Sequence, residues 1–234
     1  MHTATEPMSN TRTGEFLSKL SPAARENFET VQSAGLYPAG VVLFEERQKP
    51  SGIFLVLSGE VKLSMNSSDG KRLILRIARA GEILGLAATM NDGRCEYTAE
   101  TLHPARIAVV GRTEFFGFLR RHPEAYQPLA VELSRHLNIV CGQLRTVGLS
   151  SSAPEKLARL LLDWSQNGQT TEAGTRFHFP LTHEEIGEFI GASRETVTRT
   201  LSIFKTRRLV ACSGAMLTIV SRIALEDFAR CRAA

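Results

Sequence analysis

The sequence predicts an α+β fold in two domains, and three observations carry that expectation. Six short apolar runs punctuated by turn residues lie within 37–110, a heptad pattern runs over 126–147, and two short helical patterns flank a glycine within 181–205. In chain order these predict a β-sandwich or β-roll, one long helix and a C-terminal domain built on a helix pair. A chain of 234 residues, 43% of them hydrophobic, can bury two ordinary cores.

Residues 1–13, rich in Thr, Ser and Asn, read as a loose arm. Ser21-Pro22 suits a helix start, serine as cap and proline in the first turn, and the helix should continue through Ala23, Ala24, Phe28 and Val31 to stop near Gly35. Strands are expected at 41–44, 53–57, 61–65, 73–77, 97–101 and 106–110, with Ser68-Asp69-Gly70-Lys71 as a hairpin tip. A short helical connector holds Phe115, Phe116 and Phe118, and a longer helix starts near Pro123.

Along that longer helix Tyr126, Ala130, Leu133, Leu137, Val140, Leu144 and Val147 recur at alternating spacings of four and three. Such a seam suits a two-stranded coiled coil with a second copy, although the same spacing also suits a helix packed within its own bundle. Leu129 and Ile139 lie off the seam and could pack on the β domain. Residues 148–152 read as a small-residue hinge. Ser152 and Glu155 then give a capping-box pattern, and Leu157, Leu160, Leu161 and Trp164 a core-facing stripe. A polar loop is expected at 168–175, a hairpin at 209–212 and 216–220 around Ser213-Gly214, and a closing helix at 223–231.

The stretch 181–205 is the most informative. Thr182 followed by Glu185 is a capping box, so a helix starts at His183 with Ile186 and Ile190 on its apolar face, and Gly191 ends it. Ser193 caps a second helix whose Val197, Leu201 and Phe204 face inward, leaving Arg194, Glu195, Thr198 and Arg199 outside. Gly187 is too small to obstruct a crossing helix. Two helices joined by a tight glycine turn, the second with a polar face carrying two arginines, describe a helix-turn-helix that reads DNA. Trihelical domains that bind no DNA share the pattern. Charge favours the DNA reading: 193–208 holds Arg194, Arg199, Lys205, Arg207 and Arg208 against Glu195, which matches the whole chain's net +4.

Other chemistries lack their signatures. Cys95, Cys141, Cys212 and Cys231 are far apart and have no metal-ligand spacing, so reduced thiols are expected. No apolar run approaches the roughly 20 residues of a membrane span, and the first 13 residues hold no hydrophobic signal core; a cytoplasmic location is expected. No GxSxG, HExxH, Walker or GxGxxG motif is present, so an enzyme is not expected.

A β-roll, a long dimerising helix and a winged helix-turn-helix, in that order, resemble the CRP/FNR family of bacterial transcription regulators over nearly the whole chain. Ser-Arg-Glu-Thr-Val-Thr-Arg at 193–199 looks like the start of the family's recognition helix. Leu-Ser-Gly-Glu-Val-Lys-Leu at 57–63, Asp-Gly-Lys at 69–71 and Gly-Glu-Ile-Leu-Gly-Leu at 81–86 look like its sensor domain. The resemblance implies a double-stranded β-helix type of β-roll at 14–122, a dimerisation helix at 123–149 and a DNA-binding winged helix-turn-helix at 150–234. It implies a homodimer on a palindromic DNA site, and RNA polymerase as a partner of any activator. Arg194 and Arg199 would read guanines, Glu195 a cytosine amino group, with Thr198 beside them. Thr182, Ser193, Thr196, Lys205, Arg207 and Arg208 would hold phosphates, though Thr182 and Ser193 also serve as caps.

The resemblance departs at the effector. Cyclic-nucleotide-binding members follow the last glycine of that sensor motif with a glutamate and then place an Arg-Ser or Arg-Thr pair on the phosphate; here Leu86 follows Gly85, and Tyr97-Thr98 or Glu96-Tyr97 stands at the second place. Val140 and Cys141 stand where the family has a purine-facing polar pair. Gly85, Leu86, Arg94, Tyr97, Thr98, Val140 and Cys141 therefore outline an effector pocket in which cyclic AMP bound in the usual mode is not expected; Arg94 is the nearby arginine that could serve it. An iron-sulfur cluster is not expected without N-terminal cysteines, and haem has only the isolated His103 and His136 as ligands. A thiol pair of Cys95 and Cys141, an effector-independent regulator, and a regulatory module that binds a protein partner remain as alternatives.

Overall fold

The computed structural model describes residues 15–149 and 152–230. The expected arm at 1–13, hinge residues 150 and 151, and Cys231 lie outside the described residues. The chain divides into two compact units: one comprises 75–139 with the residues up to 65, and the other joins 66–74 to the residues from 140 onward.

In the first unit, α1 (Glu15–Ser18) and α2 (Pro22–Val31) precede eight strands: β1 (Ser33–Tyr37), β2 (Val42–Phe44), β3 (Gly52–Ser58), β4 (Glu60–Asn66), β5 (Arg72–Arg79), β6 (Ile83–Leu84), β7 (Thr98–Thr101) and β8 (Ala105–Gly111). Between β6 and β7 lies α3 (Leu86–Asn91), and α4 (Arg112–Arg121) follows β8. Two four-stranded sheets form, in the orders β1-β8-β3-β6 and β2-β7-β4-β5. The last residue of β4 and the first three of β5 fall within 66–74 and are grouped with the second unit.

Strand β3 shows why a β-roll results. Ile53 and Leu55 face a cluster with Phe16, Phe28, Phe115 and Phe118 from the helices, whereas Phe54 and Val56 face a second cluster with Phe44, Val61, Leu63 and Ala99 from the other sheet. Successive strand residues point to opposite faces, so a strand covered on both sides reads as the continuous apolar run Ile-Phe-Leu-Val-Leu rather than an alternating one. Helix α2 ends at Val31, short of the expected Gly35, because 33–37 pairs antiparallel with β8 as an edge strand. That strand and the two-residue β6 have no sequence signal of their own; pairing with β8 and β3 makes them strands.

The long helix α5 (Tyr126–Leu149) follows a 3-10 turn at Pro123–Ala125. Leu129 is buried in the helix-side cluster and Leu133 packs against it, whereas Leu137 and Leu144 are 64% and 65% exposed, Val140 and Tyr126 are partly so, and Ala130 is also exposed. The seam is thus divided: Leu133 leans on its own chain, and the residues on either side of it face away. Because α5 runs on through Gly148 to Leu149, the first two residues of the expected hinge are helical, a correction to the reading that placed a break there.

The first unit also contains a buried ion-pair network. Arg76 shares the inward face of β5 with Ile74 and Ala78, and its guanidinium meets the Glu82 carboxylate. Glu82 Oε2 lies 3.4 Å from Arg135 Nη2 on α5, Arg135 Nε donates to Glu132 at 3.1 Å, and His136 Nε2 lies 2.9 Å from Glu132 Oε1.

The second unit contains α6 (Ala153–Trp164), α7 (His183–Ile190), α8 (Arg194–Thr206) and α9 (Arg222–Arg230), with the strands β9 (Gln169–Thr171), β10 (Gly174–His178), β11 (Val210–Ser213) and β12 (Met216–Ile219) in a sheet of order β11-β12-β10-β9. The predicted stripe of α6 is buried, and Trp164 meets the Phe179 ring edge-on at 4.8 Å. The expected wing appears as β11 (Val210–Ser213) and β12 (Met216–Ile219). The polar loop expected at 168–175 is instead mostly a hairpin, β9 (Gln169–Thr171) and β10 (Gly174–His178), which extends the wing through β10–β12 pairing. Buried Phe177 anchors β10 from beneath, and threonines at 170, 171 and 175 tolerate the pleat that a purely polar reading overlooks.

Candidate nucleic-acid interface

Helix α7 begins as its sequence dictates. Thr182 accepts from the Glu185 backbone N–H, and the Glu185 carboxylate accepts from the Thr182 N–H at 3.0 Å, closing a capping box. Gly191 ends the helix at φ +66°, left-handed backbone that other residues adopt at a cost. Two residues on, Ser193 accepts from the Thr196 N–H and starts α8. The turn is tight because Gly187 lets the returning chain approach: a Cβ there would stand 2.5 Å from the Ala192 carbonyl oxygen. Gly187→Ala is therefore expected to destabilise the second unit by roughly 1–3 kcal/mol, read as a lower denaturation midpoint; an unchanged midpoint would show that the turn yields freely.

The inner face of α8 buries Val197, Thr200, Leu201 and Phe204, and Phe204 packs edge-on against Phe228 of α9. With that face committed to the core, Arg194, Glu195, Thr198 and Arg199 are exposed together over the first two turns. The Glu195 carboxyl is held below the usual carboxylate range by a backbone N–H at the helix start and by the Ser193 hydroxyl, so it is an acceptor at neutral pH. An anionic acceptor between two guanidinium groups can address a base amino group while the arginines address acceptors such as guanine O6 and N7.

The expected phosphate-holding residues divide. Thr182 and Ser193 are exposed caps, and Thr196 is half-buried with its hydroxyl 3.1 Å from that of Ser193. Lys205 is exposed near the far end of α8. Arg207 stacks its guanidinium over the Phe228 ring at 5.4 Å, so part of its role is to pack α8 on α9; Arg208 takes a positive φ of 55° in the turn toward the wing. One exposed polar contact was not anticipated: His183, read only as the first residue of α7, places Nδ1 2.8 Å from Thr198 Oγ1. Its position at the start of the first helix of the pair was the available signal.

Of the residues outlined as an effector pocket, the structure brings Gly85 and Tyr97 together, whereas Leu86 turns into the helix-side cluster. The Gly85 N–H donates to the Tyr97 hydroxyl at 3.4 Å, burial pushes that hydroxyl's pKa up, and the Tyr97 and Phe54 rings lie against Phe44. Leu86 is buried in the core. Arg94 is exposed and donates to the Arg47 carbonyl, and Thr98 accepts from the Glu46 N–H. Val140 and Cys141 are exposed on α5. A buried guanidinium is supplied instead by Arg76, a residue the family likeness did not single out, because only β5 alternation and the tertiary position of Glu82 reveal it. Cys95 is buried, and desolvation with the nearby Glu96 charge raises its thiol pKa, the opposite of what a reactive thiol needs. Neither Cys95 nor Cys141 is in a disulfide. His136 of the haem alternative pairs with Glu132.

Comparison with known proteins matches both units. The family model described as a cyclic nucleotide-binding domain matches 36–122, and that described as a Crp-like helix-turn-helix domain matches 155–228; together they span more than half of the chain. A CRP-like cAMP-activated global transcriptional regulator of Mycobacterium tuberculosis is 28% identical over 184 residues, covering 78% of this chain and 82% of the relative. The nitrogen fixation regulation protein FixK of Bradyrhizobium diazoefficiens is 26% identical over 223 residues, 95% of this chain and 90% of the relative. Among solved structures, FixK2 from Bradyrhizobium japonicum superposes with a TM-score of 0.75 at 21% identity, covering 87% of this chain and all of the other. These relatives are transcription regulators rather than enzymes, and no helix among the described residues is long and apolar enough to cross a membrane. With sheets, long helix and helix-turn-helix in the same order, the chain belongs to the CRP/FNR family of DNA-binding bacterial transcription regulators.

Proposed function

We propose that this regulator acts as a homodimer that binds a palindromic DNA site, each copy laying α8 from Ser193 onward into a major groove. The observation that carries the reading is the shared exposure of Arg194, Glu195, Thr198 and Arg199 on a helix whose other face is core. The α5 helices of two copies would set the separation of the recognition helices, about 34 Å for successive half-sites. Selection of bound sites from random DNA by the purified protein tests this, with a two-fold symmetric consensus as the expected result. Within that consensus Arg199→Ala should lose discrimination at one base pair per half-site, by roughly 1–3 kcal/mol. Equal weakening across all substitutions would make Arg199 a phosphate contact.

The β-roll signal, in this reading, is not cyclic AMP bound in the usual mode. Leu86 offers a ribose no acceptor, Arg94 is occupied on the Arg47 carbonyl, and Arg76 already holds the carboxylate of Glu82. A cyclic phosphate would have to displace Glu82 from Arg76 and leave that half-buried anion with Arg135 as its one remaining guanidinium, at 3.4 Å, which is costly out of water. Site selection and affinity are expected to be the same with and without cyclic AMP; a tightened complex would overturn this part alone. Haem and oxidant belong in the same comparison. A signal of any kind would act by shifting the population of the DNA-competent arrangement through α5.

A further inference from the structure

The pair formed by His183 and Thr198 gives the recognition surface a specific chemistry. The Thr198 hydroxyl donates to the Arg194 carbonyl at 2.9 Å, and the same oxygen lies 2.8 Å from His183 Nδ1. A hydroxyl has one proton. With that proton on a carbonyl, which can only accept, the bond to His183 requires the imidazole to donate, so His183 carries its hydrogen on Nδ1. Thr198 is left with no proton to offer a base. Turning the O–H toward a base would give up the bond to the Arg194 carbonyl and leave the two oxygens facing each other without a proton between them. The remaining outer group of its side chain is the γ-methyl, on the exposed face shared with Arg194, Glu195 and Arg199.

Among the four bases, only thymine presents a methyl group in the major groove, and apolar contact is how a threonine methyl recognises it. We propose that Thr198 reads a thymine C5-methyl, and that His183 is the positioning residue that holds Thr198 in the required rotamer. The inference rests on the reading of α8 as the recognition helix. It adds a thymine to the arginine-read and glutamate-read positions of each half-site, and it gives the first residue of α7 a part in sequence choice.

The test uses the full-length protein and the operator it selects, resynthesised with dU in place of dT at one position at a time, a change that removes only the methyl. One thymine per half-site is expected to respond, weakening binding about fourfold singly and about 15-fold when both half-sites are changed, from the roughly 0.8 kcal/mol of one buried methyl-sized group. Thr198→Ser keeps the hydroxyl and loses the methyl, so it should bind the dT operator about as weakly as the unaltered protein binds dU, with no further loss on dU. His183→Asn retains an N–H donor near the Nδ1 position and should keep the discrimination between dT and dU; His183→Leu should lose most of it while the position read by Arg199 is still selected. A full dU penalty in Thr198→Ser, or no responsive thymine in an otherwise selective protein, overturns the methyl readout. An undiminished penalty in His183→Leu overturns the positioning role. Failure to select any preferred site would instead overturn the underlying reading of α8.

Discussion

Leu137→Asp is expected to convert the protein from dimer to monomer in sedimentation at micromolar concentration and to weaken binding to the palindromic operator by about two orders of magnitude or more, the scale of avidity lost when two linked sites become one. Leu137 and Leu144 leave about two thirds of their surface to solvent in the single chain, with Val140 beside them. Leucines at that exposure, four and three residues from the next seam position, lie outside the helix-side cluster, while Leu133 in the same series packs against it. In a two-stranded seam, residues at this register face their counterparts, so an aspartate at 137 would set two carboxylates against each other inside an apolar layer. Val131→Asp is the control, since Val131 is also 41% exposed but off the seam. It should leave sedimentation unchanged, and circular dichroism should show both variants folded. A Leu137→Asp protein that still sediments as the parent does would defeat the seam assignment, whatever its DNA affinity.

How far the sequence alone carries depends on whether a residue's role is set by its neighbours in sequence or by distant ones. The capping box at Thr182, the serine cap at 193, the αL glycine at 191 and the inward stripe of α8 were readable because each is decided by residues a few positions apart. The exposed set on α8 follows from the same periodicity, so the candidate DNA face was readable almost whole. Edge strand 33–37 and the 169–178 hairpin were not, because Ser33-Ala-Gly-Leu-Tyr and Gln169-Thr-Thr become strands only by pairing with β8 and β12 or with each other. The same limit hides the polar contacts that matter most. His183 and Thr198 are fifteen residues apart, and Arg76 of β5, Glu82 of the turn after it and Glu132 of α5 are linked through Arg135; no local pattern distinguishes them from solvated charges. The resemblance narrowed the fold and left Arg94 as the nearby arginine for a cyclic nucleotide; Arg94 is exposed on the Arg47 carbonyl, whereas Arg76 lies buried on Glu82.

Glu132→Gln is expected to lower stability at pH 7 by roughly 2–4 kcal/mol, the scale of breaking a buried ion pair, and the loss should shrink as the solution is made acidic. Glu132 has only 4% of its side chain exposed, on the face of α5 turned to the β-roll. Burial alone would push its carboxyl pKa up, but hydrogen bonds from His136 and Arg135 and their charges bring it down from 4.5 to about 2. The folded chain thus binds a proton at this site less readily than the unfolded chain. The resulting stability is present in full above the unfolded value of 4.5 and is lost as pH falls from there through about 2. Glutamine is a neutral near-isostere: it keeps one acceptor, turns an amide N–H toward donors, and does not titrate. The parent and the variant, melted at one protein concentration across pH 3 to 7, should therefore differ most at neutrality, by roughly 5–10 °C for a chain of this size, and converge toward pH 3. A gap that is constant with pH would mean that the packing of Glu132, and not its charge, holds α5 to β5 and to the turn that carries Glu82.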